Sequence, residues 1–197
     1  MKFRSSKDRE RSFERKNFYA QYFEGYSTRE TMDHAGRWKV DRVYTADFYQ
    51  QKLSGKQRIL LKVIYSSLFF LSVGLFLLGS KRSLGNFGPV LAIFQAAALI
   101  GFCLVLCNLI MCLTSAQDMT IYEYKITHLS LPRTTGGTAA ILGLLSAANA
   151  LGGVLGRRAG FIHAALYLLA LLPILSICVL EKRVPYGTRD NDSKRGA

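Results

Sequence analysis

Four long apolar blocks, divided by charged or turn-forming stretches, set the pattern of this chain. Ile59 to Gly79, about Pro89 to Leu113, Thr138 to Gly156 and Phe161 to Leu180 lack the regularly spaced polar positions of a half-solvated helix. At a helical rise of 1.5 Å per residue the first block covers about 30 Å, the thickness of a bilayer's hydrocarbon core. The second places proline at a first-turn position, where its missing N–H costs nothing, and is long enough to cross with some tilt. The third is built mostly from small residues, and only Arg157-Arg158-Ala159-Gly160 separates it from the fourth. This pattern predicts an all-α membrane protein of four transmembrane helices (59–79, 89–113, 138–156 and 161–180) in two antiparallel hairpins.

Outside the blocks the chain divides into an amino-terminal region, 1–58, a central loop and a charged tail, 181–197. The amino-terminal region carries fourteen Lys or Arg against eight Asp or Glu, interleaved with aromatics. Phe18, Tyr19, Tyr22, Phe23 and Tyr26 recur at spacings of three and four, which predicts one face of a helix. Two readings stay open for it. One is an interfacial helix with its rings at head-group depth and Arg15, Lys16 and Arg29 near phosphates; the other is a helix packed on the tail or ordered by a partner. Residues 39–49 mix β-branched, aromatic and charged side chains as a short strand would, and Met119 to Leu131 has the same character, with Tyr122, Tyr124 and Ile126 alternating against Glu123 and Lys125. Pro132 and Thr134-Thr135-Gly136-Gly137 read as the end of that strand. A strand in the central loop needs a neighbour for its backbone, and the 39–49 segment or another subunit would supply one.

Charge fixes the expected orientation. Twelve Lys or Arg flank the helix ends on the side of the amino terminus, against four, Lys81, Arg82, Arg157 and Arg158, on the other. Because such residues resist translocation, both termini are expected in the cytoplasm of a multi-pass cell-membrane protein. The net charge of +13 lies mostly beside apolar blocks, so anionic lipid head groups, met by Lys52, Lys56, Arg58, Lys62, Lys182 and Arg183, are nearer partners than nucleic acid, which is not expected. The first block lacks the small-residue cleavage pattern of a signal peptide.

Candidate chemistry is sparse. No ionisable residue lies near the middle of any block, which argues against proton-coupled transport. Gln95, Asn108 and Asn149 are polar at depth, but Gln95 and Asn108 stand about 220° apart on their helix, which favours interhelical hydrogen bonds over a polar path. Ser146, Asn149, Gly152, Gly153 and Gly156 share a small face on the third helix, suited to close packing within the bundle or against a partner's helix, with Asn149 bonding across the contact. Cys103 and Cys112 point about 180° apart, so the cysteines do not converge, and with His128 in a loop and His163 at the outer end of its helix no metal site is expected. His163 is expected to meet a head group or the backbone. Pro173 predicts a kink. Ser146 lacks the Gly-x-Ser-x-Gly context, and neither a Walker loop nor His-Glu-x-x-His occurs. The expectation is a non-enzymatic membrane subunit or scaffold without cofactor, packing with other membrane subunits or with itself. A small oligomeric channel or transport component is the alternative, and a membrane enzyme comes third.

Overall fold

A computed structural model of the chain describes residues 22–32, 38–83, 89–155 and 159–190, which form two compact units. The first gathers three stretches distant in sequence: residues up to Gln51, Ala116–Lys125, and those from Tyr186 onward. The second holds Lys52–Ser115 and Ile126–Pro185.

The second unit is helical: α1 (Gly55–Ser83) and α2 (Pro89–Thr114) belong to it. After the short α3 (Ile121–Tyr124) of the first unit, a π-helical turn, Lys125–Leu129, leads into α4 (Ser130–Val154), and α5 (Ala159–Arg183) follows. Four spans, Gly55–Ser80, Leu91–Thr114, Ile121–Val154 and Gly160–Arg183, are long and apolar enough to cross a membrane, as a multi-pass membrane protein requires. Their outward rows are apolar: Phe70, Leu71, Ile100, Leu144, Leu168 and Leu172 are all about half exposed or more. Lipid is the solvent such rows need.

The core of this unit is a stack of Tyr65, Phe69, Phe76, Phe102, Leu109, Leu142, Leu145, Tyr167, Ile174 and Ile177, all buried. α5 packs most extensively, on α4 and then on α1, whereas α2 rests mainly on α4 and touches α1 little. Small residues decide where backbones meet. A Cβ added at Gly160 would lie 2.6 Å from the backbone oxygen of Asn149 and the backbone nitrogen of Gly153, so no other residue fits there without moving α4 from α5. Gly101 has the same part between α2 and α4, where its missing Cβ would stand 2.7 Å from Thr138 Oγ1.

The first unit is a mixed fold of short strands and a four-residue helix. β1 (Tyr26–Met32) and β2 (Trp38–Tyr44) pair antiparallel, Tyr26 opposite Tyr44 and Met32 opposite Trp38. A second sheet has the order β4-β3-β5, with β3 (Phe48–Gln51) between β4 (Asp118–Met119) and β5 (Tyr186–Arg189). Rings bind it together: Tyr49 stacks on Tyr124 at 4.5 Å, Tyr124 meets Tyr186 edge-on, and Tyr22 meets Tyr122 at 4.8 Å. The Arg42 guanidinium sits 4.0 Å above the Phe23 ring, a cation–π geometry. Tyr44 donates to the Asp47 carbonyl and accepts from the Ile121 N–H, and burial is the main reason its phenol pKa lies above the ordinary value.

Two expectations are corrected. The aromatic face of the amino-terminal region does not stay on one helix: Phe18 and Tyr19 lie outside the described residues, Tyr22 is helical, but Phe23 to Gly25 turn and Tyr26 opens β1. Gly25, at φ +85°, permits that turn, and the rings gain contacts with one another. The strand expected over Met119 to Leu131 shrinks to Asp118–Met119, although its pairing with the earlier segment occurs, Tyr49 opposite Met119 and Gln50 opposite Asp118. A capping box ends it. Thr120 Oγ1 accepts from the Glu123 N–H while the Glu123 carboxylate accepts from the Thr120 N–H, and the chain turns helical from Ile121. The third long helix accordingly starts at Ser130, not at Thr138. Pro132, read as a terminator, lies in its first turn; without an N–H it cannot bond the His128 carbonyl, and the widened π turn falls just before it.

Replacing Gly160 by Ala is expected to lower the unfolding free energy of the helical unit by about 1–3 kcal/mol in a detergent-micelle unfolding titration. Gly137→Ala, where a Cβ meets nothing within 4 Å, should stay within about 0.5 kcal/mol of the parent.

Candidate functional site

At the end of the helical unit where α1 and α4 begin and α2 and α5 finish, four side chains that can exchange protons or donate to metals meet out of solvent. Glu181 comes from the last turn of α5, His128 from the π turn, Cys112 from the last turn of α2 and Tyr65 from the third turn of α1. Their residues are 3 %, 3 %, 3 % and 0 % exposed. Glu181 Oε1 lies 2.7 Å from His128 Nδ1, its Oε2 accepts from Tyr65 Oη at 2.7 Å, and Cys112 Sγ lies 3.9 Å from the same His128 nitrogen. One ligand-capable atom from each of Cys112, His128 and Glu181 falls within 4.8 Å of the others. A carboxylate held this far from water needs donors, and here two other segments supply them.

Local sequence explains the convergence. The π turn adds a residue to the helical circuit and so rotates His128 relative to the α4 residues that follow, putting it on the buried side with Thr127. α5 continues past its apolar run to Arg183, carrying Glu181 inward while Lys182 and Arg183 stay exposed in the final turn, where cations suit a helix carboxyl end. Nearby, Lys62 Nζ donates to the Leu113 carbonyl at 2.5 Å and Arg58 Nη2 to the Ser115 carbonyl at 3.4 Å. These two cations, expected at head groups, thus cap the end of α2, whereas Lys52 and Lys56 are exposed.

The other expected residues are scattered. Gln95 Nε2 donates to Tyr167 Oη at 2.8 Å, which joins α2 to α5. Asn108 donates to Thr134 Oγ1 and accepts from Ser130 Oγ, joining α2 to α4. On the small face of α4, Ser146 Oγ donates to the Ala164 carbonyl of α5, Gly153 lies against the Phe161 ring and Gly152 is half-buried; Gly156 lies outside the described residues. Asn149 was expected to bond across this contact. Its Nδ2 instead donates to Leu145 O in its own helix, and at this level it is the Asn149 and Gly153 backbone of α4 that faces Gly160. Its Oδ1 and His163 Nδ1 have no partner among the described residues, and His163 is buried rather than set at a head group. Cys103 and Cys107 are exposed on the apolar surface.

Sequence reasoning missed the Cys112, His128 and Glu181 cluster because it compared the cysteines with each other, placed His128 in a loop and counted Glu181 with the tail. One signal was available: Thr120-x-x-Glu123 before an apolar run marks a helix start, which brings His128 onto a helical face. No family model, curated protein or solved structure matches the chain.

Tyr65→Phe, which removes one donor from a buried carboxylate, is expected to cost about 1–3 kcal/mol of stability. Glu181→Leu, which leaves both Tyr65 Oη and His128 Nδ1 without their buried partner, should cost more, about 3–5 kcal/mol, and thermal unfolding of both variants in detergent checks the order.

Proposed function

We propose that this chain is a non-enzymatic integral subunit of the cell membrane, a four-span anchor arranged as two antiparallel hairpins that carries a folded cytoplasmic module for docking. The observation that carries this reading is the β4-β3-β5 sheet. Its three strands come from before the first span, between the second and third, and after the fourth. Strands that share hydrogen bonds share one side of a membrane, so the pairing supports even-numbered crossings with both termini together. The Lys and Arg excess beside those segments favours the cytoplasm for that side. Exposed bases beside the same segments, Lys52 before α1, Lys56 in its first turn, and Lys182 and Arg183 at the end of α5, suit anionic head groups or an acidic partner.

A second feature favours other membrane helices as partners. The small face of α4 is taken up by α5, but α1 and α2 leave an apolar groove between them, lined by Phe76, Leu77, Ala92, Ala96 and Leu99 with Gln95 alongside. Ala92 and Ala96, one helical turn apart, let a further backbone come close.

Topology is tested with an impermeant maleimide on single cysteines placed at Gln117 and Thr188, both exposed. Labelling above the parent's background is expected only in inside-out vesicles, and labelling of either site in intact cells would reverse the orientation. For the partner, a photo-crosslinking residue at Ala96 is expected to capture a different membrane protein. Adducts to a second copy would favour the oligomeric channel, and adducts to lipid alone, with a stable monomer on purification, would remove the subunit reading.

A further inference from the structure

We propose that Cys112, His128 and Glu181 form a binding site for a divalent transition metal of the zinc class, with Tyr65 positioning the carboxylate. The proposal concerns the interior of the helical unit and stands apart from the docking reading.

The donor set selects the ion. A thiolate, an imidazole and a carboxylate together suit a borderline cation such as Zn2+; calcium and magnesium prefer all-oxygen shells. Geometry agrees with that choice. Ideal tetrahedral bonds to sulfur, nitrogen and oxygen would set the donors roughly 3.4–3.6 Å apart. Sγ and Nδ1 stand at 3.9 Å and Nδ1 and Oε1 at 2.7 Å, so the site forms if the first pair closes by a few tenths of an ångström and the second opens by somewhat more. Side-chain rotation supplies such shifts. The same nitrogen, Nδ1, faces both the sulfur and the carboxylate, so a single ion reaches all three without a ring flip.

Electrostatics favours the same occupant. A dication is balanced by one thiolate and one carboxylate, which leaves the cluster neutral where uncompensated charge is costly. Binding releases the proton of the Cys112 thiol, and the hydrogen between His128 Nδ1 and Glu181 moves off Nδ1 so that the metal takes its place. Tyr65, donating to Oε2, keeps the carboxylate turned so that Oε1 faces the ion, as outer hydrogen-bond partners of metal-bound carboxylates do. The three donors leave one tetrahedral position for water or a further ligand.

The test uses the full chain in detergent, freed of metal with a chelator and titrated with Co2+ as the spectroscopic probe. One Co2+ per chain is expected, with tetrahedral d–d absorption, thiolate-to-cobalt charge transfer, proton release and displacement by Zn2+. Cys112→Ser should abolish the charge-transfer band, whereas replacing Cys103 and Cys107 by Ala should leave it intact. Tyr65→Phe should weaken binding about tenfold while keeping the spectrum, which a purely structural tyrosine would not do. The folded parent chain decides the matter even if the variants misfold. No thiolate charge transfer in the parent, or a band that survives Cys112→Ser, overturns the site.

Discussion

Keeping a carboxylate out of water at the end of a membrane helix is the constraint on which the described helical unit turns. Glu181 is held by Tyr65 from α1 and by His128 from the π turn, with Cys112 of α2 beside them. Each donor requires its own segment to be in place: α5 must run on beyond its apolar residues, the turn before α4 must widen, and α1 must present its third turn inward. An unmet buried charge costs several kcal/mol, more than any single interhelical hydrogen bond in lipid, which is worth about 0.6 kcal/mol. The links Ser72 to Ala170, Ser146 to Ala164 and Gln95 to Tyr167 therefore align helices that packing already holds, whereas the Glu181 contacts select one register among the four.

Packing follows the same economy of space. α4 and α5 approach backbone to backbone at Gly153 and Gly160, and a side chain has no room there. That closeness gives up side-chain burial in exchange for dispersion between main chains, the gain available where lipid removes any hydrophobic drive between helices. Further along, Phe76, Phe102 and Tyr167 fill the wider gap with rings.

Much of this was legible in the sequence, for physical reasons. Uninterrupted apolar runs report membrane helices directly, because lipid demands both the length and the composition, and the four runs match the four spans to within a few residues except at the start of the third. That exception is instructive. Tyr122, Tyr124 and Ile126 alternate as strand residues do, yet Thr120 and Glu123 cap a helix at the same place, and a local cap with two hydrogen bonds outweighed an alternation with little sheet to join. The aromatic spacing misled in the opposite direction from Phe23 to Tyr26, since rings at helical intervals also serve a turn that folds back on itself. The Cys112, His128 and Glu181 cluster was not legible from spacing, because its members come from three segments and only tertiary structure brings them within reach.

The three-stranded sheet carries a consequence for how the protein is made. β3 emerges from the ribosome before any span, yet one of its neighbours, β5, follows all four, with Gln51 and Tyr186 135 positions apart. Until the last helix has been made, one edge of β3 has no mate, so the sheet closes only after all four spans have been synthesised. A chain cut short before Tyr186 would leave that edge of β3 open, with its backbone N–H and C=O groups unpaired.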